Sequence, residues 1–123
     1  MAKILIIDDS EDERQLLSEI LRAAGYQVCS ASHGKEALRL LREQPVELAV
    51  TDLLMPEMDG IETILALRRE HPGTKIIAVS GGGVFGPDHC LRLARDLGAG
   101  RVLEKPFTSA DLVHAVQPSL RPA

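Results

Sequence analysis

Five short apolar runs recur along the chain, at Lys3 to Ile7, Gln27 to Ala31, Leu48 to Thr51, Lys75 to Ser80 and Arg101 to Leu103, and the stretches between them carry helical periodicity. Strand and helix therefore alternate throughout. Ile4-Leu5-Ile6-Ile7 and Ile76-Ile77-Ala78-Val79 are continuous rather than alternating in polarity. Strands covered by helices on both faces have that composition, whereas a strand with one wet face alternates. A parallel sheet packed between two helical layers is the architecture this pattern allows.

The helical stretches carry their own start and stop signals. Ser10 with Glu13 three residues on is a capping box ahead of a stripe of Leu16, Leu17, Ile20, Leu21 and Ala24, and Gly25 follows as the stop. The second stretch sets Ala37, Leu38 and Leu41 on one side and ends before Pro45. The third has Asp59 and Glu62 at capping spacing ahead of Ile61, Ile64 and Leu65, and His71-Pro72-Gly73 breaks it. A fourth helix is expected from Pro87-Asp88 to Gly98, burying Leu91, Ala94 and Leu97. In the fifth, Thr108 and Asp111 precede Leu112, Val113 and Val116, with Pro118 and Pro122 marking the end.

At 123 residues the chain fits one compact domain. Five βα units joined by right-handed crossovers give a doubly wound α/β fold, a five-stranded parallel sheet with five helices, and the flavodoxin-like strand order 2-1-3-4-5 suits this size. With 45% apolar and only 2% aromatic residues, Leu, Ile, Val and Ala must build the core. No apolar run approaches the roughly 20 residues of a membrane-spanning helix, and the first residues show no cleavage-site pattern, so a cytoplasmic location without membrane contact is expected. Cys29 and Cys90 lack CxxC spacing and read as reduced, and His33, His71, His89 and His114 show no zinc-ligand spacing. A net charge of −4, with no basic run or aromatic-studded basic stripe, argues against direct nucleic-acid binding by this segment.

In a doubly wound sheet the functional crevice lies beyond the carboxyl ends of the strands. The first strand exits at Asp8-Asp9, the third at Asp52, the fourth at Ser80, and the fifth runs through Glu104 to Lys105-Pro106. Carboxylates about 4–6 Å apart repel by roughly 3 kcal/mol per pair at an effective dielectric of about 20, so such a cluster needs counter-charge. Lys105 and a hard divalent cation can supply it. Oxygen-only donors without thiolate or imidazole suit Mg²⁺, with Mn²⁺ as an alternative. A carboxylate beside such an ion can attack phosphorus, and Asp52, on the central strand, is the best placed.

Taken together, Ile6-Ile7-Asp8-Asp9, the segment from Asp52 to Gly60, Ser80 and Lys105-Pro106-Phe107 resemble the receiver domain of bacterial response regulators, the CheY-like family. The resemblance covers essentially the whole chain, with residues 1–118 as the receiver domain and 119–123 as a tail. It implies that Asp52 accepts a phosphoryl group from a sensor histidine kinase or a histidine phosphotransfer protein. It further implies that Asp9, Asp52 and the backbone carbonyl of Leu54 bind Mg²⁺, that Asp8 assists through water, and that Ser80 and Lys105 read the phosphoryl oxygens. A cis Lys105–Pro106 peptide belongs to the same pattern. The domain would switch the binding of an output protein, as a monomer or a phosphorylation-dependent dimer, and would not be an enzyme acting on external substrates.

Two features depart from the pattern. Val102 stands where the family commonly carries a Tyr or Phe that turns inward on activation, and Ser80 is followed by Gly81-Gly82-Gly83-Val84-Phe85-Gly86, a loop with four glycines. That loop is expected either to order when Ser80 engages phosphate, with Phe85 supplying an aromatic contact, or to have no signalling role. Three alternatives stay open. A Mg²⁺-dependent phosphatase with an aspartyl-phosphate intermediate shares much of the site, although Leu54 occupies the position of its acid/base. A flavin-binding module would need phosphate-cradling loops and aromatic rings that are not evident. The chain is expected to stand alone, with an N-terminal receiver fragment of a larger DNA-binding or enzymatic regulator as the other possibility.

Overall fold

The computed structural model describes residues 2–53, 59–80, 92, 96 and 99–120, with only the backbone described for residues 59, 60 and 80. Five strands, β1 (Lys3–Ile7), β2 (Gln27–Ala31), β3 (Leu48–Asp52), β4 (Lys75–Ser80) and β5 (Arg101–Glu104), stand in the order β2-β1-β3-β4-β5. Every pairing is parallel. The strand order is thus the one expected from the sequence. Among the described residues the helices are α1 (Glu11–Ala23), α2 (Gly34–Glu43), α3 (Asp59–Glu70) and α4 (Ser109–Leu120). The helix expected from Pro87-Asp88 to Gly98 lies almost wholly outside the described residues, although Arg92 and Asp96 are helical.

The unbroken apolar strands are explained by two separate cores. Leu5, Ile7, Ala49 and Ala78 point to one face, where Ala37 and Leu41 of α2 and Ile64 and Leu67 of α3 cover them. Ile4, Ile6, Val50, Ile77 and Val79 point to the other, under Leu17 and Leu21 of α1 and Leu112, Ala115 and Val116 of α4. Successive residues of one strand thus enter opposite cores, and the runs Ile4 to Ile7 and Ile76 to Val79 turn no face to water.

The helix ends follow the chemistry of their residues. Ser10 Oγ accepts from the Glu13 amide at 3.3 Å and so opens α1. At the other end Gly25 takes φ +100°, the Tyr26 amide donates to the Leu21 carbonyl at 3.1 Å, and the Gly25 amide donates to that of Arg22 at 3.0 Å. That pair of bonds is a Schellman closure, which requires the left-handed conformation glycine adopts without strain. At α4 the box is reciprocal: Asp111 N donates to Thr108 Oγ1 and Thr108 N donates to Asp111 Oδ2, each at 3.0 Å.

Two expectations are corrected. On α1, Leu16 is 57% exposed and Ala24 is exposed, so the buried stripe narrows to Leu17, Ser18 and Leu21. On α3, Leu65 is 48% exposed and the inward positions are Thr63, Ile64 and Leu67. The final helix runs past Pro118 to Leu120, between the two prolines expected to mark its end. A proline in the last turn removes only one backbone donor. Leu120 packs against the α1–α4 core, and the Ser119 hydroxyl donates to the Ala115 carbonyl at 3.1 Å. No helix among the described residues is long and apolar enough to cross a membrane.

Candidate functional site

Strand register brings the acidic residues together. Ile7 pairs with Thr51 across β1 and β3, so Asp8 and Asp52 leave adjacent strands side by side. Asp52 pairs with Val79, and Ser80 pairs with Glu104, which sets Lys105 on the same edge one residue later. Asp8 is 2% and Asp52 is 7% exposed. The Leu53 amide donates to the Val79 carbonyl at 2.9 Å, fixing the backbone where β3 ends. The Asp8 backbone is held by its own amide donating to the Ala31 carbonyl and by Arg14 Nη1 donating to the Asp8 carbonyl at 2.7 Å.

Carboxylate oxygens of Asp8, Glu13 and Asp52 lie within 4.8 Å of one another. Lys105 Nζ reaches all but the first, donating to Glu13 Oε2 at 2.7 Å and Oε1 at 2.9 Å and to Asp52 Oδ2 at 3.4 Å. Burial, and next a hydrogen bond with Glu13, push the Asp8 carboxyl up to about 7, with the charges of Asp52 and Glu13 adding to the rise. The Ser10 amide, donating to Asp8 Oδ1 at 2.9 Å, opposes that rise. Glu13 is held below the usual carboxylate range, first by its hydrogen bond with Asp8 and then by Lys105. Burial alone would lower the Lys105 ammonium, but the hydrogen bond to Glu13 and the charges of Asp52, Glu13 and Asp8 outweigh it and raise its pKa.

The donor set is carboxylate oxygen only, gathered at one strand edge and in need of positive charge. That chemistry fits a hard divalent cation such as Mg²⁺ rather than a thiophilic metal. Asp8 and Asp52 are members of the group, whereas Asp9 is exposed and is not. Leu54 lies outside the described residues, as do Gly81 to Gly86 with Phe85. Ser80 ends β4 at the same edge, its side chain not described. The Lys105–Pro106 peptide bond is cis. Val102 is partly buried against the α2–α3 core beside Ala78, its partner in register.

Glu13 is the member that the sequence reading missed. It was legible only as the far half of a capping box, yet its carboxylate does not return to the Ser10 amide, which Asp8 occupies. One signal was available: the first turn of a helix that follows a strand exit borders the crevice, so an acid there belongs on the list of candidates.

Comparison with known proteins gives a consistent picture. The sequence model described as response regulator receiver domain matches residues 4–117. The chain is 36% identical to the response regulator receiver protein CpdR of Brucella abortus (strain 2308), over 98% of each chain. It is 37% identical to the transcriptional regulatory protein CpxR of Escherichia coli K12, over 98% of this chain and 50% of that protein. Among solved structures, the chemotaxis response regulator CheY4 of Vibrio cholerae superposes with a TM-score of 0.87 at 32% identity, covering 98% of this chain and 99% of that one.

Proposed function

Given that this chain belongs to the response regulator receiver domain family, we propose that it is a phosphoacceptor switch of a two-component or phosphorelay system, with Asp52 as the residue that takes the phosphoryl group. The observation that carries this reading is the buried Asp52 carboxylate at the exit of β3, beside Asp8 on one side and 3.4 Å from Lys105 on the other. Receiver domains are signalling domains, and this one is read as assisting only its own phosphorylation and dephosphorylation.

A carboxylate oxygen of Asp52 attacks phosphorus of a phosphohistidine on a sensor kinase or histidine phosphotransfer protein. The new P–O bond forms as the P–N bond breaks, and the imidazole nitrogen leaves with the electron pair. Lys105 offsets the charge brought in by the phosphoryl oxygens, and the Ser80 hydroxyl donates to one of them. The residues proposed to hold Mg²⁺, or Mn²⁺, are Asp8, Asp9, Asp52 and the Leu54 carbonyl, with Asp9 and Leu54 included on the resemblance alone. Such an ion supplies neutralisation of charge on the equatorial phosphoryl oxygens. The switch then acts in the cytoplasm on an output protein, as a monomer or a phosphorylation-dependent dimer, without direct contact with nucleic acid or membrane.

Incubation with Mg²⁺ and a panel of phosphorylated histidine kinases tests this reading. The expected product is a single hydroxylamine-labile phosphoryl adduct, absent in Asp52→Asn. An adduct of equal yield in Asp52→Asn overturns the assignment.

A further inference from the structure

Phosphoryl acceptance by Asp52 accounts for Lys105 and the neighbouring acids, but it does not call for Glu13. That carboxylate nevertheless makes the shortest contacts to the site's ammonium, 2.7 and 2.9 Å against 3.4 Å to Asp52. The two capping boxes show that this is not helix capping by default. At α4 the third-position acid, Asp111, returns to the amide of Thr108. At α1 the Ser10 amide is taken by Asp8 Oδ1, and Glu13 turns across 92 residues of sequence to Lys105 instead. The pair is only partly screened, with the Lys105 side chain 26% and that of Glu13 39% exposed.

We infer that Glu13 is a positioning residue that acts through Lys105, holding the ammonium in the resting state in competition with a phosphoryl group on Asp52. The inference rests on the phosphoacceptor reading and adds a control to the same site. An ammonium has three donors, and in the resting state both Glu13 carboxylate oxygens and Asp52 Oδ2 lie within reach of them, the Glu13 pair closest. A phosphoryl group therefore obtains Lys105 at the expense of that pair, and the phosphorylated state is less favoured than it would be without Glu13. The position also gives the resting site a defined Lys105 geometry, set by α1 rather than by β3.

The test uses beryllofluoride, a phosphoryl mimic, titrated calorimetrically into the full chain at saturating Mg²⁺. Glu13→Gln keeps the shape and removes the charge. It is expected to bind the mimic about three- to tenfold more tightly than wild type, and the gain is expected to vanish in a Lys105→Ala background. Equal or weaker binding by Glu13→Gln overturns the inference, and so does a gain that persists in full without Lys105, which would assign Glu13 to direct repulsion of the phosphoryl charge. If Lys105→Ala binds too weakly to measure, the Lys105 ε-methylene NMR resonance decides. It shifts between resting wild type and Glu13→Gln, and failure to shift overturns the inference. A wild type that binds no beryllofluoride and takes no label on Asp52 removes the phosphoacceptor reading and this inference together. A wild type that binds, with Glu13→Gln unchanged, removes this inference alone.

Discussion

Lys105 Nζ stands 3.4 Å from Oδ2 of Asp52 across 53 residues of sequence, at the edge where β3 and β5 leave the sheet. It pairs with two members, Glu13 and Asp52, of a group of three carboxylates within 4.8 Å of one another. Truncating it leaves charge gathered at a partly buried edge with less compensation, which costs more than losing an exposed ion pair. Lys105→Ala is therefore expected to lower the metal-free stability at pH 8 by about 1–3 kcal/mol. The same change removes a cation that competes for the carboxylates, so Mg²⁺ is expected to bind more tightly and restore part of the loss. Urea denaturation with and without Mg²⁺ checks both signs. Unchanged metal-free stability would show that the lysine is not needed as counter-charge.

The buried face of α3 can be checked residue by residue. Leu67 is fully buried between the sheet and α2, whereas Leu65, two residues earlier, is 48% exposed. Leu67→Ala removes buried methyl groups and opens a cavity, for an expected cost of about 2–5 kcal/mol. Leu65→Ala is expected to cost less than about 1 kcal/mol. Denaturant midpoints of the two variants should differ in that order. The reverse order would turn the helix on its axis relative to the structure described.

These two leucines also mark where the sequence stops being informative. Continuous apolar strands identify burial on both faces, because polarity leaves them no wet side, and the strand order followed from crossover handedness and size. Helical periodicity places a stripe but not its edges, since residues flanking the centre of the stripe by 100° either way look equally apolar until a neighbour covers one of them. Leu16 and Leu65 fell on the uncovered side. For the candidate site, Asp8, Asp52 and Lys105 were legible because strand exits converge. Glu13 was not, because local spacing announced a capping partner while its real partner lies in a loop 92 residues away.

Gly25 ends α1 with φ +100°, and a Cβ placed there would meet nothing within 4 Å. Any penalty for a side chain is therefore backbone strain rather than a clash. Gly25→Ala is expected to cost about 1–2 kcal/mol, and Gly25→Asn less, since asparagine tolerates this region better. Thermal or urea unfolding of the two variants gives the ranking. Equal stability for alanine and glycine would mean that the turn relaxes without cost.

The raised Asp8 carboxyl ties metal binding to pH. Burial first, and then the hydrogen bond with Glu13, raise the folded carboxyl from the ordinary 3.8 to about 7. A carboxyl with a higher pKa folded than unfolded stabilises the fold while it is protonated. That contribution is complete below the unfolded value and is lost as pH rises through about 7. The depressed Glu13 works in the opposite sense, but its contribution is lost only as pH falls below its ordinary 4.5. Between about pH 5.5 and 7.5 the slope therefore belongs to Asp8. Metal-free stability is expected to fall across that window in wild type and to stay flatter in Asp8→Asn. A cation must displace the proton to use the Asp8 oxygens, so Mg²⁺ affinity is expected to rise over the same window, by at most about tenfold per pH unit, and to level off above it. Asp8→Asn should bind Mg²⁺ more weakly with little pH dependence. Calorimetric titrations at several pH values in buffers of different ionisation enthalpy measure the affinity and the proton released together. A wild-type profile without proton release at pH 6 would show that the metal does not draw on this carboxyl.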